Sequence, residues 1–307
     1  MDPARALLRN VARGFQPSAA DRSPERLALR DDRAPSAIGR KARLELRFER
    51  RGARTVIAHA YAEPPLRIGA SFEIDDAAYL ILVCSGPGIF GGDAIRQSIH
   101  VASGARVVLT SQAALQVHPS TTSAAARLDH EYCVDDDGEL HCHWDPVIPF
   151  AGARLAQHYD IRIAGGARLY WSDALMSGRV ARGESWQCRD LAHELGLRAD
   201  DRLMYLERYR VGAETDRVRR PWVAGGVDYL STALVWHEEA SREVAERLQE
   251  AVAACDRVRA GIDLVDDRLI VARLAASNGV PFSAARRLVR TLALTSVFGR
   301  QPVPDRK

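Results

Sequence analysis

Alternation of apolar and polar residues predicts short β-strands over most of the first two thirds of the chain. Arg43–Arg50 alternates strictly, as a strand with one buried face does, and Thr55–Tyr61 returns after the Arg51-Gly52 turn. Tyr79–Cys84 is a continuous apolar run, which is typical of a strand covered on both faces. Further short segments of strand character follow: Ile95–Val101, Arg106–Thr110, Leu128–Val134, Leu140–Trp144, Leu155–Ile163, Arg168–Leu175 and Leu203–Val211.

Near the end of the chain the hydrophobic period changes from two residues to between three and four. This period predicts a helix over His237–Arg259 and a second helix over Ala284–Phe298, which Ser283 would cap. Leu269–Leu274, between the two helices, is predicted to be one more strand. The fold class is therefore mainly β (α+β), with many short strands in a sandwich, barrel or solenoid and two helices near the C-terminus.

The first 38 residues have a different character from the rest of the chain. They are rich in Pro, Ser, Ala, Arg and Asp and show no sustained hydrophobic period. We expect a flexible N-terminal arm over residues 1–38, with one short helix around Ala4–Val11. The alternating pattern begins after Gly39, and no later segment has the length of an interdomain linker. Residues 39–307 are therefore predicted to form a single domain.

Composition narrows the classes of function. The chain has 307 residues, and its 43 Lys and Arg against 40 Asp and Glu give a net charge of only +3, so no overall field attracts nucleic acid. No apolar run is long enough to cross a membrane, and the N-terminus has no apolar signal-peptide core. Five cysteines without a tight spacing pattern indicate a reducing compartment. We expect a cytoplasmic protein that binds neither nucleic acid nor membrane.

One glycine-rich segment has the literal spacing of a dinucleotide-binding fingerprint. Gly86–Gly91 reads G-x-G-x-x-G and follows an apolar strand. The fingerprint must open a helix, yet the next segment, Ile95–Val101, alternates like a strand. No Asp or Glu stands between Asp93 and Asp129, where the ribose-binding acid is required. The segment is therefore interpreted as a tight loop.

A group of soft ligands forms a candidate metal site. The residues are His130, Cys133, His141 and His143, on two predicted strands joined by an acidic turn. In a hairpin these side chains could meet, and imidazole and thiolate ligands suit zinc or nickel. Their spacing matches no tight zinc signature, so a set of solvated side chains is the competing interpretation.

The most unusual stretch is Asp173–Trp186, which places two acids close to several turn residues. The turn and framework residues within it are Ser177, Gly178, Arg179, Gly183 and Trp186. Asp173 and Glu184 could belong to a turn network that satisfies itself, with Arg179 as a partner. Alternatively, the two carboxylates could line a passage for a cation. The residues alone favour the turn network.

Four motifs in this order resemble a known family. They are Gly91-Gly92-Asp93, Leu109–Gln112, Asp145–Arg154 and Asp173–Trp186. Together they are similar to the urease accessory protein UreD family, also called UreH, over most of the chain from about Gly39 onward. The last two motifs are long and quite specific.

The resemblance implies a maturation chaperone without catalytic activity. Family members bind apo-urease together with the accessory proteins UreF and UreG, and the assembly passes nickel into the urease active site. The implied fold is a β-solenoid-like stack of strands, and the implied assembly contains two copies of this chain. The resemblance implies no tightly bound cofactor, with transient binding of Ni²⁺ possible. The acids that fall on family motifs, and so become candidates for the nickel route, are Asp93, Asp145, Asp173 and Glu184.

The chain also departs from the family pattern. Leu115-Gln116 stands where family members carry a Thr-Lys pair, and the cluster containing His141 and His143 is not a family feature. These departures keep open a divergent member that serves another client, or a metal-binding protein or metalloenzyme that uses the histidine and cysteine cluster.

Overall fold

The computed structural model describes residues 39–212 and 226–303. The predicted arm of residues 1–38, with its helix around Ala4–Val11, lies outside the described residues, so the predicted domain boundary stays a prediction. The strands of the described ranges are β1 (Lys41–Arg51), β2 (Arg54–Ala62), β3 (Leu66–Ile74), β4 (Ala77–Cys84), β5 (Ala94–Val101), β6 (Arg106–Ser111), β7 (Leu115–Val117), β8 (Ala126–Val134), β9 (Glu139–His143), β10 (Val147–Pro149), β11 (Arg154–Ile163), β12 (Arg168–Ser172), β13 (Leu175–Met176), β14 (Asp190–Ala199), β15 (Arg202–Gly212), β16 (Tyr229–Trp236), β17 (Val258–Asp266) and β18 (Leu269–Ala276). The helices of these ranges are α1 (Arg242–Ala253) and α2 (Gly279–Ser296).

The strands wind into stacked coils. Each coil contributes one strand to a seven-stranded sheet, called sheet I, and one to an eleven-stranded sheet, called sheet II. Its third strand is short and lies in the part of sheet II beyond β16. The successive coils are β5-β6-β7, β8-β9-β10 and β11-β12-β13, and β14 begins a fourth. Equivalent strands of neighbouring coils pair in parallel. The β-solenoid-like stack with two helices is therefore confirmed.

Antiparallel strands close the ends of the stack. In sheet I, β2 pairs with β1 at one edge and β15 pairs with β14 at the other. In sheet II, β3 pairs with β4, while β16 pairs with β12 and is followed by β18 and β17. The other end of sheet II is β7, which pairs with β10 and has a bridge from Ile89 to Val117.

The main core lies between sheets I and II. Leu44, Leu46 and Phe48 alternate along β1 and are almost fully buried, as the strict alternation of this segment predicts. Tyr132 and Trp171 bring large aromatic side chains into the same core. A second core forms where α1 and α2 pack on the outer face of sheet II. The helices therefore cover the sheet rather than extend the stack.

The helix boundaries differ from the predicted ones for local reasons. Ser241 caps α1 by accepting a hydrogen bond from the amide of Val244, so the helix begins later than His237. Asn278, and not Ser283, caps α2, which begins at Gly279. Arg286 and Arg290 of α2 are buried.

Six strands were missed, namely β3, β7, β10, β14, β16 and β17, and two of them, β7 and β10, have only three residues each. The segment Arg168–Leu175 was predicted as one strand, but it is interrupted at Asp173 between β12 and β13. In the described ranges no helix carries an apolar stretch long enough to span a bilayer. All five cysteines are free thiols.

Candidate functional site

Asp173 lies at the interruption between β12 and β13, inside the fold. β16 runs alongside both strands and holds the interruption in place through Ser231 and Thr232. The amide of Thr232 donates to Asp173 Oδ1 at 2.9 Å, and the hydroxyl of Ser231 donates to the backbone carbonyl of Asp173 at 2.6 Å. The side chain is buried, with the residue only 7% exposed. The carboxyl group is thus fixed by the backbone of a neighbouring strand.

Two cavities have Asp173 in their walls. The first has a volume of about 290 Å³, a largely apolar wall, and Asp145 and His130 among its lining residues. The second has a volume of about 420 Å³ and is lined by Glu207, Arg273 and residues of β16 and β18. Asp173 lines both cavities.

The electrostatic setting of Asp173 is unusual for a carboxyl group. Burial raises its pKa to about 7, and the nearby charge of Glu207 contributes in the same direction. The Thr232 amide and the charge of Arg286 oppose the shift but do not cancel it. No salt bridge to Asp173 occurs within residues 39–212 and 226–303. The group can therefore take up a proton or a cation near neutral pH.

Glu207 on β15 is a second buried acid at this site, and the sequence analysis missed it. Its side chain is 9% exposed and lies 3.4 Å from Arg273 Nη2. The hydroxyls of Thr232 and Tyr205 donate to Glu207 Oε2 at 2.9 Å and 2.8 Å. Thr232 therefore joins the two acids, through its amide to Asp173 and its hydroxyl to Glu207. No motif marks Glu207, because only the pairing of distant strands brings it to Asp173.

Asp145 lies just beyond β9 and lines the first cavity. Its Oδ2 accepts a hydrogen bond from the Ser111 hydroxyl at 2.9 Å, and its amide donates to the same oxygen of Ser111 at 2.8 Å. Ser111 belongs to the Leu109–Gln112 motif of the sequence analysis. Two of the four motifs therefore meet at this wall of the cavity.

Asp93 has a capping role in the loop before β5, and it lines neither of the two cavities that contain Asp173. Its carboxylate accepts hydrogen bonds from the amide of Arg40 at 2.7 Å and from the amide of Phe90 at 2.9 Å. Gly91 and Gly92 form the turn that it closes. The motif thus joins the start of β1 to the start of β5.

Glu184 is held by an arginine. Arg179 binds both carboxylate oxygens of Glu184, and the amide of Ala151 donates to Oε2 at 3.1 Å. The guanidinium group of Arg179 also stacks over the ring of Phe150 at 4.1 Å. Glu184, like Asp93, lines neither of the two cavities that contain Asp173. The competing interpretation of a turn network therefore describes this half of the Asp173–Trp186 stretch.

The remaining framework residues of this stretch fix the same turn. Ser177 and Ser185 both donate to Oδ1 of Asp228, at 2.5 Å and 2.6 Å, and Trp186 Nε1 donates to the carbonyl of Val227 at 2.9 Å. Gly183 ends a short 3₁₀ turn at Val180–Arg182. Gly178 has φ +152°, and a Cβ at this position would lie 2.3 Å from the carbonyl oxygen of Glu184.

The predicted metal cluster is not brought together. Along β8, His130 points into the first cavity, whereas Cys133 is exposed on the opposite face of the sheet. His141 lies 3.1 Å from Glu139 and packs against the ring of Phe298, on the side of sheet II that the helices cover. His143 Nδ1 lies 3.0 Å from the hydroxyl of Ser172. Burial lowers the pKa of His130 to about 4.

Comparison with known proteins points to one family. The family profile described as UreD urease accessory protein matches residues 40–307. A protein of Deinococcus radiodurans named urease accessory protein UreD is 28% identical over 282 residues, covering 89% of this chain and 98% of its own length. Proteins of the same name from Sorangium cellulosum and an Anaeromyxobacter species are 33% and 30% identical, each covering 82% of this chain and 80% and 86% of their own lengths.

Proposed function

This chain belongs to the UreD urease accessory protein family, and on that premise we propose that it is a scaffold of urease maturation that passes nickel through its own interior. The relatives are named accessory proteins, which favours a role without catalysis. Nickel is the cargo in this proposal and not a resident cofactor.

The observation that carries the proposal is the position of Asp173. A buried carboxyl group normally needs a partner of opposite charge, and Asp173 has hydrogen bonds from a backbone amide but no salt bridge in the described part of the chain. It also lines both cavities. An acid in this position could accept a passing cation and then release it.

The other acids along the two cavities suit transfer better than storage. Asp145 lines the first cavity and Glu207 the second, with Asp173 between them. Carboxylate oxygens bind Ni²⁺ less tightly than a set of imidazole and thiolate ligands, so a series of single acids offers shallow, exchangeable sites. A tight site would retain the metal. Asp93 and Glu184 act in this proposal as framework residues, since backbone amides or Arg179 occupy their oxygens.

The partners follow from the resemblance. We propose that the chain acts with UreF and UreG on apo-urease, with two copies in the assembly. Its exposed surface near the second cavity includes Leu203, Leu206 and Val265, which are about half exposed. Apolar side chains of this size at a surface are compatible with contact to another protein.

The test of this role is reconstitution of urease with and without the chain. Urease subunits and the other accessory proteins are produced together in medium containing nickel, and the chain is either included or omitted. We expect active, nickel-containing urease only when the chain is present. Equal urease activity and equal nickel content in both preparations would contradict the proposal.

A further inference from the structure

A group of metal-ligating side chains lies on the outer face of sheet I. His100 on β5 and Cys133 on β8 are direct neighbours in the parallel pairing of these strands. Asp135 follows β8 by one residue, and its Oδ2 lies 3.0 Å from His100 Nε2. One ligand atom from each of the three residues lies within 4.8 Å of the other two. An ion placed among them could contact an imidazole nitrogen, a sulfur and a carboxylate oxygen together.

The backbone that carries these three side chains is rigid. β5 and β8 are interior strands of sheet I, each paired on both sides. Asp135 donates its amide to the carbonyl of Val101 at 2.9 Å and accepts from the amide of Gly138 at 2.9 Å. Tyr132 and Val134, which flank Cys133, are buried in the main core. The alternation of β8 therefore fixes Cys133 on the outer face.

The neighbouring charges leave the group available to a cation. Arg47 and Arg162 stand in the same row across the sheet, on either side of His100 and Cys133. Each already has a carboxylate partner, since Arg47 lies 3.2 Å from Glu49 and Arg162 lies 2.9 Å from Asp160. Ionised Cys133 and Asp135 would then supply two negative charges to a bound divalent cation.

We propose that His100, Cys133 and Asp135 form a surface site for a divalent transition-metal ion of the Ni²⁺ or Zn²⁺ class. Nitrogen, sulfur and oxygen donors together suit these ions, whereas Mg²⁺ and Ca²⁺ prefer oxygen ligands alone. Binding displaces the proton of the thiol. Three protein ligands leave at least one coordination position open to water or to a ligand from another molecule. The side chains of His100 and Asp135 are partly exposed on that open side.

This site is independent of the interior route. His130 and Tyr132 on β8 face the interior, so the outer group and the first cavity lie on opposite faces of sheet I. The sequence analysis chose Cys133 but gave it other partners, because His100 and Asp135 stand 35 residues apart and only the coil repeat aligns them.

The test is titration of the purified full-length chain with Co²⁺ and Ni²⁺, followed by near-ultraviolet absorption from charge transfer between thiolate and metal. We expect such a band to reach its maximum at one metal ion per chain, because Cys133 supplies the only sulfur of the site. Cys133→Ser should abolish the band. His100→Ala should weaken binding at least about tenfold, since loss of even an outer partner of a ligand has an effect of that size.

Three control variants separate this site from others. Cys84→Ser removes a thiol that lines the first cavity, Asp256→Asn removes an exposed acid, and His59→Ala removes a histidine beside Glu45. All three should keep the band and the wild-type affinity. A band that survives Cys133→Ser, or that is lost in Cys84→Ser, would overturn the proposal, as would the absence of a band in the wild type. Because urease is not part of this titration, its outcome does not depend on the proposed role in maturation.

Discussion

At the scale of single residues, two buried acids have opposite electrostatic settings. Asp173 has hydrogen bonds but no salt bridge in the described residues, and burial raises its pKa to about 7. For Glu139, burial alone would raise the pKa, but His141, Arg300 and Arg106 outweigh it and hold the pKa at about 2. The first acid is available to a proton or cation, whereas the second is committed to its partners. Their variants should therefore respond differently to pH.

The Asp173→Asn variant should be more stable than the wild type at alkaline pH. The folded state binds the proton of Asp173 more tightly than the unfolded chain does, so wild-type stability falls as the pH rises from about 4 to about 7. The amide of Asn carries no charge and its oxygen can still accept from Thr232. We expect a gain of up to about 4 kcal/mol near pH 8 and almost none near pH 4. Urea unfolding of both proteins at the two pH values measures this difference in the free energy of unfolding.

The exposed acid Asp256 is the matched control for that measurement. Its carboxylate is 89% exposed, so Asp256→Asn should change the free energy of unfolding little at either pH. If Asp173→Asn is less stable than the wild type near pH 8, the ionised carboxylate stabilises the fold and the prediction is wrong.

The Glu139→Gln variant should be destabilised at neutral pH. Glu139 Oε1 lies 3.2 Å from Arg106 Nε and 3.1 Å from His141 Nε2, and the side chains of Glu139 and Arg106 are 6% and 8% exposed. Removal of the charge leaves the buried guanidinium of Arg106 with one carboxylate partner in the described residues, Asp76 at 2.6 Å, and the loss costs about 1 to 3 kcal/mol. Because the folded pKa is lowered, this contribution is present above about pH 4.5 and is lost as the pH falls toward 2.

Unfolding of Glu139→Gln and the wild type in urea, compared at about pH 7 and about pH 3, checks this prediction. Glu73→Gln is the control, since Glu73 forms only an exposed ion pair with Arg54 at 3.6 Å. The lowered pKa of Glu139 would be contradicted if the difference in the free energy of unfolding between the wild type and Glu139→Gln grew toward low pH.

At the scale of elements, the turn between β13 and β14 positions the site. Arg179 and Glu184 close it, and Asp228 binds two of its serine hydroxyls. The sequence analysis located this turn through its motif. It could not show that Asp173 and Glu184, eleven positions apart in one motif, have different surroundings. Arg179, the partner of Glu184, lies in the same turn, but the cavity wall beside Asp173 comes from strands outside the motif.

Two glycines of this turn give a matched pair of variants. Gly178→Ala places a Cβ 2.3 Å from a backbone carbonyl, whereas a Cβ at Gly183 meets open space. Both glycines have positive φ, so Gly183→Ala should cost about 1 kcal/mol for the backbone alone. Gly178→Ala should cost at least twice as much, because backbone atoms must also move. Thermal unfolding of the two variants compares these costs, and equal costs would contradict the described turn.

Elements that form the stack were predictable where alternation is strict. β1, β2, β5, β8 and β11 coincide closely with predicted segments. β16 was missed although it is the strand that binds Asp173, and Glu207 was missed although it lies on the predicted strand Leu203–Val211. In both cases the decisive contact joins strands that are far apart in sequence, and local patterns carry no information on such pairing.

At the scale of the whole molecule, the stack of coils holds Asp145, Asp173 and Glu207 in the walls of two cavities, and Asp173 belongs to both walls. Sheets I and II enclose the main core, and β16 runs beside the interruption between β12 and β13. A scaffold of this kind can hold spaced carboxylates without changing shape. The proposed outer metal site lies on the face of sheet I opposite to the first cavity.

The most direct test of the account is the nickel content of urease activated with Asp173→Asn. Full-length wild type, Asp173→Asn and the control Asp256→Asn are each assembled with the other accessory proteins and apo-urease. Recovery of the assembly and nickel bound to urease are then measured. We expect equal recovery of the assembly for all three proteins. Nickel loading should fall at least about tenfold with Asp173→Asn alone, because loss of the buried charge of Asp173 costs more than about 1.4 kcal/mol. Wild-type nickel loading with Asp173→Asn would contradict the route through Asp173.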